Sequence, residues 1–497
     1  MSQTMEDLRF RAQMNLEPVA FGLVLLATLA FTGCTANRMK AAKPNVTVPP
    51  SWSSGGEGLL TTSSEDLSKW WQRLGDSTLL SLVEQALKNN PDLRTARSRL
   101  REARAQRNLA AANRFPTLTA SVSSSGSKTS GSATTNSLSE SFDASWEPDV
   151  FGAKRKALEA ASADARATEA ELHNTQVSLV AEVASNYVAL RSFQSRVEIA
   201  RKNEASQSET LQLTEWRAQA GLVSSVDVEQ AHTNLEQTRA GIPSLEASVA
   251  QTGYQLAILL GHTPGALKQQ LAKTEPVPSL PDTVTVGIPA DTLRQRPDVR
   301  AAEQKIIAET ARLRQAETAR YPSFSLSGSL GIEQLTNAVA SGTSGAATGG
   351  TAKVASFSGS VLQTLFDRGR IRAQIAVQNA VQEQAVISYE STVRTALKDV
   401  EDALVSLVKS RERLASLNKA AESARNAALL ARNRYTAGVA DFQTVLDTER
   451  TVLTIEDSVA QTQADRASAL IQLYKALGGG WSPDATTAVA NNQGSHS

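Results

Sequence analysis

Arg296-Pro297-Asp298-Val299-Arg300, followed by Arg320-Tyr321-Pro322, restates Asn90-Pro91-Asp92-Leu93-Arg94, followed by Arg114-Phe115-Pro116. Both pairs stand 206 residues apart (297 − 91 and 322 − 116). Further on, Ala437-Gly438-Val439 restates Ala220-Gly221-Leu222, and Leu477-Gly478 restates Leu260-Gly261, now 217 apart (438 − 221 and 478 − 261). One unit is written twice. The change in spacing falls between residues 116 and 152 of the first copy, in a Ser/Gly/Thr-rich stretch. A duplicated unit that changes length at one place has rigid elements elsewhere and an exposed loop there.

With 51 Lys and Arg against 50 Asp and Glu, the 497-residue chain is nearly neutral. No basic excess exists to hold a phosphate backbone, so a nucleic-acid partner is not expected. Ala, Gln, Glu, Arg and Leu dominate the long segments, which is helix-forming composition. At the N-terminus Arg9 and Arg11 precede an apolar run from Val19 to Phe31, closed by Thr32-Gly33-Cys34. That run is too short for an ordinary spanning helix and suits the apolar core of a secretory signal. Cys34 is the only cysteine, so no intrachain disulfide is expected. A Pro/Ser/Gly-rich tether follows to about Ser64, before Trp70-Trp71 opens the ordered part.

Neither Ala153–Ala220 nor Arg370–Ala437 contains Gly or Pro. As single helices, each of about 68 residues would be roughly 100 Å long. Leu397, Val400, Leu404, Leu407, Leu414 and Leu417 step by three, four or seven, as do Val180, Val183, Tyr187, Leu190 and Val197. That narrow seam belongs to a helix packed lengthwise on other long helices. Gly221 and Gly438 suit left-handed C-caps, and helical runs return at 225–260 and 441–477, giving one αα-hairpin per copy. Gly241 and Pro243 predict a kink or break in the first return helix.

Before each long helix the period drops to two. Leu118, Ala120 and Val122, then Phe142, Ala144 and Trp146, alternate with Ser, Thr and Asp. Phe324, Leu326 and Leu330, then Phe357 and Val361, alternate with serines. Each copy therefore holds one β-hairpin, over about 117–147 and 323–364, with loops at Ser123–Ser137 and Ala338–Lys353. Segments of this length and pattern fit a membrane barrel with lipid outside and water inside. Four strands cannot close a barrel, so three chains sharing twelve are expected.

Several motifs carry a family resemblance: Trp71-x-x-Leu74-Gly75-Asp76, Asn90-Pro91-Asp92-Leu93 and Phe115-Pro116 in the first copy. Trp146-Glu147-Pro148-Asp149-Val150-Phe151-Gly152 pairs with Leu365-Phe366-Asp367-Arg368-Gly369, and Arg434-Tyr435-x-x-Gly438 precedes Val445-Leu446-Asp447. In this order, twice, they resemble the TolC-like outer-membrane factors of tripartite efflux pumps, most closely the lipid-anchored OprM/NodT-type branch that works with RND transporters. The resemblance implies a mainly α homotrimer with a twelve-stranded β-barrel in the outer membrane and a twelve-helix α-barrel in the periplasm. It implies a passive exit duct, served by a periplasmic membrane-fusion adaptor and an inner-membrane RND-type transporter. It divides the chain into a signal (1–33), tether (34–85), first repeat (86–263), equatorial linker (264–290), second repeat (291–478) and tail (479–497). Cys34 then resembles a lipobox cysteine bearing a covalent lipid, with Thr35 after it favouring outer-membrane delivery.

Nothing in the sequence reads as catalytic. His173, His232, His262 and His496 lack a spaced partner, so neither a metal nor a non-covalent cofactor is expected. The tips carry the candidates. By resemblance, Asp447 matches an acid ringing the periplasmic aperture, Thr444 replaces a second ring acid, Tyr435 matches a latch tyrosine and Asp227 its inter-hairpin partner. Ala440 stands where some relatives have a tip arginine. Gly221, Leu222, Gly438 and Val439 are the expected adaptor contacts. Two poreless readings compete: an adaptor-type lipoprotein, which needs only one long hairpin set in β-domains, and a coiled-coil scaffold, which leaves the alternating strands without a role.

Overall fold

The computed structural model describes residues 41–54, 60, 61, 67–128, 134–278, 280, 281, 284–286, 288–338 and 348–481. Cys34 and the proposed signal lie outside them, as do residues 129–133 and 339–347 of the expected loops and the residues beyond Trp481. From Lys43 onward the chain forms one unit. Its elements are β1 (Leu60–Thr61), a 3₁₀ turn (Trp70–Leu74), α1 (Ser77–Asn89), α2 (Pro91–Ala112), β2 (Thr117–Ser127), β3 (Thr134–Trp146), α3 (Ala153–Gln219) and α4 (Ser225–Leu259). There follow β4 (Val284–Thr285), α5 (Pro289–Gln295), α6 (Pro297–Thr318), β5 (Ser323–Ala338), β6 (Thr348–Leu362), α7 (Arg370–Thr436) and α8 (Phe442–Ala476).

The long helices α3 and α7 are unbroken over 67 residues each, about 100 Å of helix. Positive-φ glycines bound them at matching places: Gly152 and Gly369 before, Gly221 and Gly438 after. The return helix α4 is also continuous, and Pro243 lies inside it, so the expected break does not occur. Proline removes one interior hydrogen bond, and the flanking turns on α3 hold the helix together.

The two copies interlock. β2, β3, β5 and β6 form one antiparallel sheet in that order, with β3 of the first copy paired to β5 of the second. The strands run further into the Ser-rich stretches than the period suggested, because serines opposite one another bond across the ladder: Ser123 to Ser139 and Ser125 to Ser137, each at 2.7 Å. Ser325–Ser360, Ser327–Ser358 and Ser329–Ser356 repeat the device in the second hairpin. On the opposite face Phe142 stands between Ala120 and Leu330, and Phe357 lies beside Gly328.

The core sits where the helices meet the linker. Trp70 stacks on Tyr474 at 5.1 Å, among Leu79, Val183, Tyr187, Leu256 and Leu470. Here the duplication shows in close approaches. A Cβ on Gly261 would meet the Asn89 carbonyl oxygen at 2.7 Å, and one on Gly478 the Arg296 Cα at 3.1 Å. Asn90 donates to the Leu259 carbonyl at 2.8 Å, and Arg296 to the Ala476 carbonyl at 2.9 Å. The same helix end is held in both copies by different chemistry. The tether is pinned to α7, with Asn45 donating to Glu390 and Ser53 and Ser54 to Glu401.

Candidate functional site: the sheet faces and the hairpin tips

The sheet has no cover. Leu118, Val122, Phe142, Leu330 and Phe357 are all exposed, Phe357 at 79 %. The serine face is also uncovered, with Ser121 and Ser123 exposed, and among the described residues the outer edges of β2 and β6 have no partner strand. In water such a surface would aggregate. From Phe324 to Ile332 the apolar rows span about 26 Å of strand, or roughly 20 Å of height at a barrel tilt of about 40°. At the helical end Phe151 stacks on Tyr321 at 4.8 Å and the Trp146 indole donates to the Arg114 carbonyl. Aromatics belong at such an interface.

At the other end, α3 and α7 finish in the same turn. Leu222 N–H bonds the Arg217 carbonyl at 2.8 Å and Val439 N–H the Arg434 carbonyl at 2.9 Å, around Gly221 and Gly438. This is a Schellman cap, and it leaves Leu222 and Val439 exposed at the extremity. The return helices then start with complementary caps. Ser224 and Asp227 form a capping box on α4. Asp441 accepts from the backbone N–H and hydroxyl of Thr444 on α8. Acid and hydroxyl have exchanged places between copies, which explains why Thr444 stands where an acid was expected.

Tyr435 is 1 % exposed, packed with Phe442, Val445, Leu446 and Ala231. Its partner is not Asp227, whose carboxylate is spent on the Ser224 N–H of its own helix. Instead Arg217 lays its guanidinium 4.4 Å from the Tyr435 ring centroid and donates to the Tyr435 carbonyl. The Tyr435 hydroxyl points at the Thr214 hydroxyl, 3.4 Å away. Asp447 is exposed and accepts from Gln443 at 3.0 Å, on the face of α8 opposite Val445 and Leu446.

Above the tip, polar pairs join the hairpins. Thr210 donates to the buried Glu449 at 2.7 Å, Arg432 to Glu209 at 2.6 Å, Arg450 to Asn234 at 2.9 Å and Arg196 to Asp457 at 2.6 Å. Burial pushes the Glu449 carboxyl above the usual carboxylate range, against the opposing pull of the Thr210 hydrogen bond and the Arg432 charge. Arg217, Thr214 and Glu449 escaped the sequence reading. Their signal was a run of polar residues at seam positions where the upper helix has apolar ones. Among the described residues no group of three or more His, Cys, Asp or Glu could hold a metal, and no helix is long and apolar enough to cross a membrane.

Residues 82–262 and 288–479 match the family model described as outer membrane efflux protein, one match per copy. The chain belongs to the outer membrane efflux protein family. It is 30 % identical to nodulation protein T of Rhizobium leguminosarum bv. trifolii over 93 % of this chain and 98 % of that protein. It is 30 % identical to the pyoverdine export outer membrane protein OpmQ of Pseudomonas aeruginosa, over 93 % and 97 %. Among solved structures the outer-membrane channel OprN superposes with a TM-score of 0.81 at 35 % identity, covering 89 % of this chain and 99 % of that one. An efflux protein of this family is an outer-membrane channel component, so the bare sheet faces are accounted for by lipid and lumen, and the poreless readings are not supported.

Proposed function

We propose that this protein is the passive exit duct of a tripartite efflux system, working as a homotrimer. The observation that carries this is the four-stranded sheet with two bare faces and two bare edges, hung on 67-residue helices. Three copies pair β2 to β6 around a twelve-stranded barrel, with apolar rows toward lipid and serine rows toward water. The helical hairpins descend into the periplasm, where Leu222 and Val439 meet an adaptor that joins the duct to an inner-membrane RND-type transporter. Asp447 rings the aperture with Thr444, and Tyr435 holds the tip shut. Cys34 carries a lipid that adds a second anchor. Energy and cargo choice belong to the transporter, since a wide duct touches cargo loosely.

Gel migration of the outer-membrane fraction tests this. A band of about three chain masses that collapses to one on boiling is expected. A monomer in unheated detergent, or recovery in the soluble periplasmic fraction, would sink the reading.

A further inference from the structure

The two β-hairpins are built to one register. Thr117 lies opposite Ser145 and Ser323 opposite Leu362, equivalent pairs at the offsets of 206 and 217 (323 − 117 and 362 − 145). At the helical end the Trp146 indole donates to the Arg114 carbonyl at 3.0 Å, and the Gln363 amide to the Arg320 carbonyl at 3.2 Å, again at equivalent positions. A closed ring of such hairpins has two kinds of junction. One lies within the chain, between β3 and β5. The other lies between chains, where β6 of one copy meets β2 of the next.

The junction within the chain ends in an aromatic stack. Trp146 lies opposite Leu326. Phe151, five residues past Trp146, stacks at 4.8 Å on Tyr321, five residues before Leu326. The strand register thus carries on into the loop. The other junction has the same parts left bare. Phe115 restates Tyr321 at the offset of 206, and Phe366 lies in the loop from β6 to α7; both are exposed, as is Leu365. The loops differ in one respect. Arg368 stands at the place of Phe151 (368 − 151 = 217), and the phenylalanine of the second copy comes two residues earlier.

We infer that Phe366 of one chain stacks on Phe115 of the next, and that this clasp sets β6 against β2 two residues out of the register used inside the chain. Phe366 is five past Val361 and Phe115 five before Ala120, so Val361 faces Ala120, Ser360 faces Ser121 and Ser358 faces Ser123. A slip of two keeps every side chain on its own face, so serine still meets serine. Stacking covers two aromatic rings that the single chain leaves in the open. Barrel closure favours the same slip. Inside the chain Thr117, Ser145 and Ser327 stand in one row, and Ser327 restates Ser121, an advance of four residues per junction (121 − 117). Six such junctions would advance about 24 residues around twelve strands, a tilt of about 54° at about 3.3 Å per residue and about 4.8 Å between strands. An advance of two at the three junctions between chains gives about 18 residues and about 46°, close to the usual range of about 35–45°. The clasp rests on the duct reading for the trimer itself.

Oxidative cross-linking of the full chain, in a Cys34→Ser background, tests the register. Residues directly opposite come within disulfide reach, whereas those two places off stand about 7–8 Å apart and do not. Ser358→Cys with Ser123→Cys should therefore give covalent trimer on a boiled, non-reducing gel. Ser358→Cys with Ser125→Cys, or with Ser121→Cys, should not. Cross-linking of either slipped pair in its place overturns the proposal. So does a trimer that survives unheated but cross-links through none of the three pairs, which leaves Leu365 and Phe366 to lipid. A monomer in unheated detergent removes the duct reading, and the clasp with it. Phe115→Ala and Phe366→Ala should each lower the temperature at which the trimer separates, and the double variant should lower it little further, because each removes the same stack. Full addition of the two effects separates the residues and overturns the clasp.

Discussion

At the scale of single residues, the tip shows how a role can pass to a different side chain. The resemblance puts a tip arginine at the position of Ala440 on the second hairpin; here Arg217 of the first hairpin covers Tyr435. A partly buried cation–π contact with a hydrogen bond contributes on the order of 2 kcal/mol. Arg217→Ala should therefore raise the open population about thirtyfold, read as single-channel conductance, with Arg217→Lys recovering part. Tyr435→Phe should change little, because its hydroxyl contact at 3.4 Å is too long to contribute much. A large effect of Tyr435→Phe with none from Arg217→Ala would reverse these roles. Asp227→Ala should loosen the start of α4 by about 1 kcal/mol, the worth of a cap, seen as faster exchange at 225–229 rather than as a leak. In the proposed trimer three copies of the exposed Asp447 stand near one aperture and favour cations, so Asp447→Ala should reduce cation preference at low salt, and an unchanged preference removes Asp447 from the aperture.

At the scale of elements, the buried residues between the hairpins are apolar above and largely polar below. Glu449 makes the lower seam depend on pH. Thr210 on α3 donates to it, and the charge of Arg432 on α7 acts on it. Because burial raises its pKa, the packed seam holds the proton more tightly than the parted one. The seam is firmest below the ordinary carboxylate range. It loosens as pH rises through the raised value of Glu449. The protection of amides 203–217, corrected for the base catalysis of exchange itself, should thus be lower at pH 8 than at pH 5, and Glu449→Gln should remove most of that difference. An unchanged pH response in Glu449→Gln assigns it to another group. The strands make a separate prediction. Epitope tags in 129–133 and 339–347 should label on intact cells, while tags at Gly221 or Gly438 should not; the opposite pattern reverses the topology.

At the scale of the whole molecule, the chain is stable only in company. Among the described residues the sheet lacks a partner strand at both edges, and Leu365 and Phe366, beside the end of β6, are 92 % and 86 % exposed. Lipid and neighbouring copies must cover what the chain leaves open. Arg in place of Phe357, in the middle of the apolar rows, should cost about 2–4 kcal/mol and cut the yield of boil-sensitive trimer. Arg at Ser358, on the serine face, should leave assembly intact. If Cys34 carries the proposed lipid, Cys34→Ser should abolish lipid labelling while much of the trimer remains, because a twelve-stranded barrel holds itself in the membrane; a wild type that takes up no label removes the lipid.

The sequence by itself determined the plan. Two copies at a constant offset, unbroken runs of 153–220 and 370–437, and period-two segments ahead of each follow from local rules of helix and strand. The boundaries agree within a residue or two because glycine at positive φ closes each long helix, and that demand is written in one letter. Tertiary structure alone decided how the copies cross. That β3 pairs with β5, that Asn90 and Arg296 hold equivalent helix ends, and that Arg217 covers Tyr435 are contacts between residues far apart in the chain. Asp227 shows the limit most plainly. As a free acid near a tip it suited a latch, but the Ser224 N–H lies three residues away, and the nearer partner took it.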